Sequence, residues 1–221
     1  MPESRRPPPA IESPPLAGAK RPAQHRSAET YERILAAAAE TLSEIGFERL
    51  STNLVCERAG LTPPALYRYF PNKYALLYEL GRRLMERQNA LVPRWITPEA
   101  LAGSAADLER ALAGLLLDTY KVTAETVGGA WIARALRAVP ALQDVRIESH
   151  REVTEAQAEL LAQMLPGADA DELRLVGRLA VEMIYAAVEM LFDEPLDPEA
   201  VARVVASMIA SQLSRFGGPR S

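Results

Sequence analysis

Beyond residue 26 the apolar residues of this chain recur at every third or fourth position, the spacing that gathers side chains on one face of a helix. Ile34, Ala38, Leu42 and Ile45 form the first stripe, Val55, Cys56 and Ala59 the second, and Leu66 and Phe70 the third. No segment alternates apolar and polar residues as a half-buried strand would, so the pattern predicts an all-α fold. Capping and breaking residues divide it. Ser27 opens a helix that is expected to end at Gly46, and a short helix starts at Thr52 and stops at Gly60. Thr62 caps the next, with Pro63 and Pro64 in the first turn, where backbone N–H groups have no intrahelical partner and proline costs little; it is expected to reach about Phe70. Asn72 caps a fourth helix running from Lys73 to about Val92, where Pro93 is expected to stop it. Further helices are expected over residues 104–126, 129–138, 141–165, 170–192 and 198–216, punctuated by Pro140, Pro166-Gly167 and Pro195.

Two short helices joined by a tight turn, with a third starting at once, make a helix-turn-helix over residues 52–73. At about 100° per residue, Pro63, Leu66 and Phe70 share one face of the second helix and are expected to pack inward. Pro64, Ala65 and Arg68 fall opposite, with Tyr67 and Tyr69 on the flanks. A guanidinium between two phenols suits a major groove, because it can bond guanine O6 and N7 while the phenols reach phosphates. Lys73 stands in a first helical turn, where a cation opposes the macrodipole by about 0.3–1 kcal/mol; a phosphate bound there would reverse the sign. A plain surface lysine and an ordinary small helix with a wet face are the competing readings.

The segment from Tyr31 to Leu80 resembles the DNA-binding domain of the TetR (tetracycline-repressor) family. The carrying residues are the Ile34, Ala38, Leu42, Ile45 stripe, Gly46-Phe47, Ala59-Gly60-Leu61-Thr62, Ala65-Leu66-Tyr67, Tyr69-Phe70, Asn72-Lys73 and Leu76-Leu77. Many relatives carry glycine where this chain has Pro64, so close approach to DNA must use the ring. The resemblance implies a dimer that binds a pseudo-palindromic operator in double-stranded DNA and releases it when a small molecule enters the larger domain. On this reading Arg68 and Pro64 face bases, Asn53 adds a base contact, and Thr52, Thr62, Pro63, Tyr67, Tyr69 and Lys73 line the DNA, most of them against phosphates.

The net charge of −4 changes meaning once divided: residues 1–92 hold 13 Lys and Arg against 10 Asp and Glu, residues 93–221 hold 12 against 19. The basic end carries the helix-turn-helix. Such modest local charge makes affinity depend on geometry and on doubling the site in a dimer. Residues 1–26, with seven prolines and five Lys or Arg, read as a tail, solubilising or reaching for phosphates; Arg5-Arg6 has no apolar segment after it, so a secretion signal is not expected. The division is therefore 1–26 tail, 27–73 helix-turn-helix domain and 74–221 sensing and dimerisation domain.

The last two long helices are apolar around much of their circumference, through Leu173, Val176, Ala180, Met183, Ile184, Ala187 and Leu191 and then Val201, Val204, Val205, Met208, Ile209 and Leu213. Such helices bury two sides. A four-helix contact between two copies meets that need, with Met183, Ile184, Ala187, Leu191, Val205, Met208 and Ile209 at the interface; two internal core faces are the alternative. Leu116, Tyr120, Trp131, His150 and Tyr185 mix apolar bulk with hydrogen-bonding tips and are the candidates for a ligand cavity, although aromatics at helical spacing also build plain core, and Trp131 after Gly128-Gly129 would also fill a kink.

One cysteine and two histidines, without ligand spacing, a glycine-rich phosphate loop or a GxSxG turn, leave no expected metal, cofactor or catalytic centre. Cys56 is expected to be a small core residue. The longest apolar run, 179–192, is interrupted by Glu182 and Glu189 and is too short for a membrane span, which points to the cytoplasm. A rival function from another class remains at this stage: a helical-bundle enzyme or small-molecule carrier whose N-terminal domain makes protein contacts.

Overall fold

The structure, a computed structural model, describes residues 25–165 and 167–217. All but the last two residues of the expected 1–26 tail, Pro166 of the expected Pro166-Gly167 break, and the last four residues lie outside the described residues. Eleven α-helices are present among them and no strand: α1 (His25–Arg49), α2 (Thr52–Ala59), α3 (Pro63–Tyr67), α4 (Lys73–Asn89), α5 (Val92–Trp95), α6 (Pro98–Ala102), α7 (Ala105–Glu125), α8 (Gly129–Ala138), α9 (Gln143–Met164), α10 (Ala170–Asp193) and α11 (Pro198–Ser214).

The chain is all-α, as the periodicity predicts, and its departures occur at proline and glycine. Helix α1 starts two residues before Ser27 and regains helical geometry after Gly46, which itself stands at φ 75°, ψ 170°, so the glycine breaks the helix without ending it. Helix α3 stops at Tyr67 rather than Phe70, because the Leu66 carbonyl accepts both the Tyr69 and Phe70 amides, at 2.9 and 3.0 Å, and closes the turn. Helix α4 ends at Asn89, and Pro93 lies in the first turn of α5 instead of stopping a helix. Helix α6, which begins at Pro98 under a Thr97 cap, escaped the sequence reading. Proline is permissive in a first turn, so the same residue type serves as stop or start.

Two buried clusters organise these helices. The first gathers α1 to α4 with α8 and the start of α9, around Ile34, Leu42, Leu66, Phe70, Leu76 and Leu136. The second gathers α7, α10 and α11 with the C-terminal end of α9, around Leu112, Leu116, Leu173, Ile184 and Ile209. Helix α4 runs between them. On its first half Glu79, only 4% exposed, accepts from Arg82 and Arg83, and Arg83 continues to Glu32 of α1 through bonds of 2.6 and 2.7 Å. On its last turn Gln88 donates to Thr123 at 2.8 Å, Arg87 to Thr126 at 2.8 Å and Asn89 to Ser149 at 2.9 Å.

The corner at Gly46 is also a contact. Trp131 of α8 lies against it, and a Cβ there would sit 3.3 Å from the indole. Gly46→Ala therefore combines left-handed backbone strain with a displaced indole; we expect a loss of about 1–3 kcal/mol, read as a lower denaturant midpoint at unchanged slope.

Candidate DNA interface and effector cavity

Helix α3 is short and locked from within. Leu66 and Phe70 are fully buried, and Phe70 stacks on Tyr31 with ring centroids 4.8 Å apart. Pro63, placed with them on the inward face by the sequence reading, is exposed, because the first turn of α3 projects beyond the core. Pro64 and Arg68 are exposed on the outer side, and Arg68 pairs with no group among the described residues. Tyr67 is 49% exposed, and its hydroxyl meets Thr52 Oγ1 at 3.1 Å, which joins the end of α3 to the start of α2. Ser51 caps α2 by accepting from the Leu54 amide, with Asn53 exposed on the same turn. Thr62 is exposed at the N-cap of α3, where its side chain makes no capping bond. Tyr69 is half-buried against Tyr31, and its hydroxyl pairs with Ser27 at 3.2 Å, which makes it the least free of the set.

Asn72 caps α4 by accepting from the Ala75 amide at 3.0 Å. Lys73 bends back to the Glu48 carbonyl at 3.3 Å, near the C-terminal end of α1, where a cation is favourable. The outer face of α3 thus presents the Arg68 guanidinium, unpaired among the described residues, between the capped starts of α2 and α4. Cys56 faces inward, 4% exposed, and burial pushes its thiol above the usual range.

A second feature lies among α4, α7, α9, α10 and α11. A narrow cavity enclosing about 80 Å³ is lined by Gln88 and Val92 on one side, by Leu108, Leu112, Leu115 and Thr119 of α7, and by Ile184, Tyr185 and Ile209 opposite. It shares Leu101, Leu108, Leu161 and Leu213 with a wider opening beside Ser104 and Ser214. Of the five residues expected to line a cavity, Tyr185 does so. Leu116 is fully buried core, Tyr120 packs on Phe192 with centroids 4.9 Å apart, and Trp131 covers Gly46; none of the three lines the cavity. His150 sits one layer behind it, stacked on Tyr185 at 4.3 Å.

The interface expectation divides in the same way. Ile184, Ala187, Leu191 and Ile209 are each less than a tenth exposed within a single chain and have no surface left for a partner. Met208 is 58% exposed, and Met183 and Val205 are half-buried. Leu175, Leu179 and Val204, each more than half exposed, extend the apolar surface that they leave.

Residues 34–80 match the family described as bacterial regulatory proteins, tetR family. An HTH-type transcriptional regulator of Mycobacterium tuberculosis is 34% identical over 138 residues, which are 53% of this chain and 71% of the relative. The chain belongs to the TetR family. A TetR-family transcriptional regulator from Rhodococcus sp. shares its fold at a TM-score of 0.64 and 19% identity, over 84% of this chain and 99% of that one. A structure described as a SmeT–triclosan complex does so at a TM-score of 0.62 and 19% identity, over 83% and 90%. Members of the family are transcriptional regulators and not enzymes, which removes the enzyme reading left open by the sequence. No helix of the described residues is long and apolar enough to cross a membrane.

The TetR-family helices α9 and α10 also enclose a charged cluster. Glu182 accepts from Arg146 at 3.0 Å, Arg178 at 2.6 Å and His150 Nδ1 at 3.1 Å. His150 is 1% exposed, and burial pushes its imidazole down to about 4, against the pull of Glu182 and with the push of both arginines. A depressed imidazole charges more readily in the unfolded chain. Stability is therefore full above pH 6.5 and falls by roughly 3 kcal/mol as pH drops towards 4. The expected result is that His150→Gln flattens this segment of a stability–pH curve measured by urea unfolding.

Proposed function

We propose that this TetR-family regulator is a homodimeric repressor that leaves its operator when a small apolar molecule occupies the cavity. One observation carries the reading: α4 runs unbroken from Lys73, beside the exposed face of α3, to Gln88 in the cavity wall. A helix of 17 residues is about 25 Å long and rigid, so a displacement at one end reaches the other. Recognition helices must sit about 34–36 Å apart to meet successive major grooves, so a shift of a few ångström spoils one half-site. The expected coupling is about 1–3 kcal/mol, or 5- to 150-fold, and it is reciprocal between ligand and operator. The division follows: residues 27–73 hold the DNA, and 74–221 sense and dimerise.

In this reading Arg68 and Pro64 face bases, and Asn53 adds a base contact. Thr52, Thr62, Tyr67 and Lys73 hold phosphates, with Lys73 exchanging the Glu48 carbonyl for DNA. Pro63 supports the turn, and Tyr69 contributes only its hydroxyl. Leu179, Met183, Val204 and Met208 form the apolar contact between copies.

DNA recovered from genome-wide pull-down supplies the operator on which two tests run. Lys73→Ala is expected to weaken all sequences alike and to lower the salt slope by about one unit, whereas Arg68→Ala costs about 1–3 kcal/mol and relaxes one base position. Loss of affinity by Arg68→Ala with base preference intact would remove that residue from base reading. Placing charge on the exposed stripe by Leu179→Asp with Met208→Asp leaves each chain folded and is expected to give monomers in sedimentation and no operator shift in gels. A monomer that still binds its operator tightly contradicts the dimer.

A further inference from the structure

We propose that residues 91–103, which carry α5 and α6, form a gate across the cavity, and that Trp95 is its latch. The proposal rests on the effector reading of the cavity and adds how an occupant gets in.

The segment has little hold of its own. Its two helices are four and five residues long, and the backbone bonds from Arg94 to Leu91, Ile96 to Val92 and Leu101 to Thr97 are all local. Val92, Ile96 and Leu101 turn towards the narrow cavity, so part of their inner surface lies on space and forgoes the dispersion that a filled core would return.

One tie to the body of the domain is specific. The Trp95 indole lies across α7 at Gly114, where a Cβ would stand 2.3 Å from the ring carbons, and its Nε1–H donates to Asp118 Oδ2 at 2.8 Å. Among the described residues this is the one side-chain hydrogen bond from residues 92–102 to another helix. A carboxylate acceptor makes it a strong bond. Glycine in the middle of a helix of 21 residues weakens that helix, because it has more backbone freedom to lose than alanine; here the missing side chain makes a seat for the ring. Seat and acceptor are one helical turn apart on the same face of α7, matched to one aromatic side chain.

The gate divides two spaces. Leu101, Leu108, Leu161 and Leu213 line both the narrow cavity of about 80 Å³ and the wider opening of about 500 Å³, and so form the neck between them. Three of the four stand on helices of 17 residues or more, and Leu101 stands on α6. Outward movement of α6 widens the neck and joins the two spaces into one of the size that small-molecule sites have, on the order of 300–1,000 Å³. At the other end of the gate only Ala90 and Leu91 separate α4 from α5, and Val92 shares the cavity wall with Gln88. An occupant that holds the gate open therefore bears on the last turn of the helix that carries Lys73.

The test uses the full chain and three variants at the latch. Asp118→Leu removes the acceptor, Asp118→Asn keeps one, and Gly114→Ala fills the seat while favouring the helix. Hydrogen exchange followed by mass spectrometry is expected to rise about tenfold or more over residues 91–103 in Asp118→Leu and Gly114→Ala, and to change by less than about twofold in α10 and α11. Asp118→Asn should stay close to the unaltered chain. Gly114→Ala is the strictest case, because a latch frees residues 91–103 with the urea midpoint unchanged or higher, whereas a plain packing contact lowers the midpoint and speeds exchange throughout. A rise spread over the whole chain, or none over residues 91–103, overturns the latch.

Entry is read by stopped-flow fluorescence with N-phenyl-1-naphthylamine, a neutral apolar dye that brightens on leaving water. In the unaltered chain the binding rate is expected to level off as dye is raised, because opening limits it, and the ceiling should rise about tenfold or more in the two latch-breaking variants. A rate that stays proportional to dye, a ceiling that neither variant moves, or no dye bound by any of the chains overturns the gate. Should one variant fail to fold, the other and the unaltered chain decide. Operator gel shifts with the same dye separate the two readings. Dye admitted as expected with operator affinity unchanged removes the effector function and keeps the gate, whereas operator release at a rate indifferent to the latch does the reverse.

Discussion

Helix α4 is fastened at both ends by side chains that have no cheap alternative partner. At one end Glu79 is a nearly dehydrated carboxylate. Burial works against its ionisation, and the bonds from Arg82 and Arg83 outweigh that cost and hold its carboxyl below the usual range. Removing either arginine would leave that buried charge less compensated, and Arg83 also reaches Glu32 of α1 in an exposed ion pair that adds at most about 1 kcal/mol to the apolar packing of α4 on α1. At the other end Gln88 and Asn89 bind α7 and α9 across otherwise apolar contacts. Every other relation in the molecule depends on this strut: α3 faces outward because α1 and α4 hold Leu66 and Phe70 inward, and the cavity exists because the end of α4 forms one of its walls.

The same pair of helices, α10 and α11, supplies the opposite wall and the exposed apolar stripe. Ile184 and Ile209 face the cavity, while Leu179, Val204 and Met208 face away from the chain. A helix surface offers about a hundred degrees to each side, so residues one position apart along α10 or α11 belong to different interactions. This arrangement places a cavity wall and an exposed apolar stripe on one helix pair. In the proposed dimer that pair would pass information in two directions, to DNA through α4 and to a second copy through the outer stripe.

The helices were legible in the sequence because a period near 3.6 survives whatever the helix packs against. Helix α8, Gly129–Ala138, falls where the pattern predicts it, and Thr52, Asn72 and Ser104 mark starts that hold. The exposed side of α3 was legible too, since Leu66 and Phe70 fix its rotation. What the pattern did not carry was the second buried side of an all-apolar helix: Ile184 and Ile209 read as interface and are inside, because periodicity tells how much of a circumference is apolar and not what covers it. The cavity was missed for a related reason. Aromatic residues drew attention to Tyr120 and Trp131, which fill space, while the lining is mostly aliphatic, with Tyr185 its one aromatic among the described residues. Gln88 left a trace all the same, a polar side chain on the face of α4 that Leu77, Gly81 and Leu84 make apolar.

The mouth of the cavity lies near Ser104, at the N-terminal end of α7, and the C-terminal end of that helix leads to Gly128, which sits so close to α1 that a Cβ there would come within 2.8 Å of the Ala39 carbonyl. Twenty-one residues of helix, about 30 Å, separate the two. In the proposed repressor this spacing would keep the doorway clear of the operator. An effector would then load the bound complex without waiting for spontaneous dissociation, and the time to switch a gene on would be set by diffusion into the cavity rather than by the residence time of the repressor on DNA.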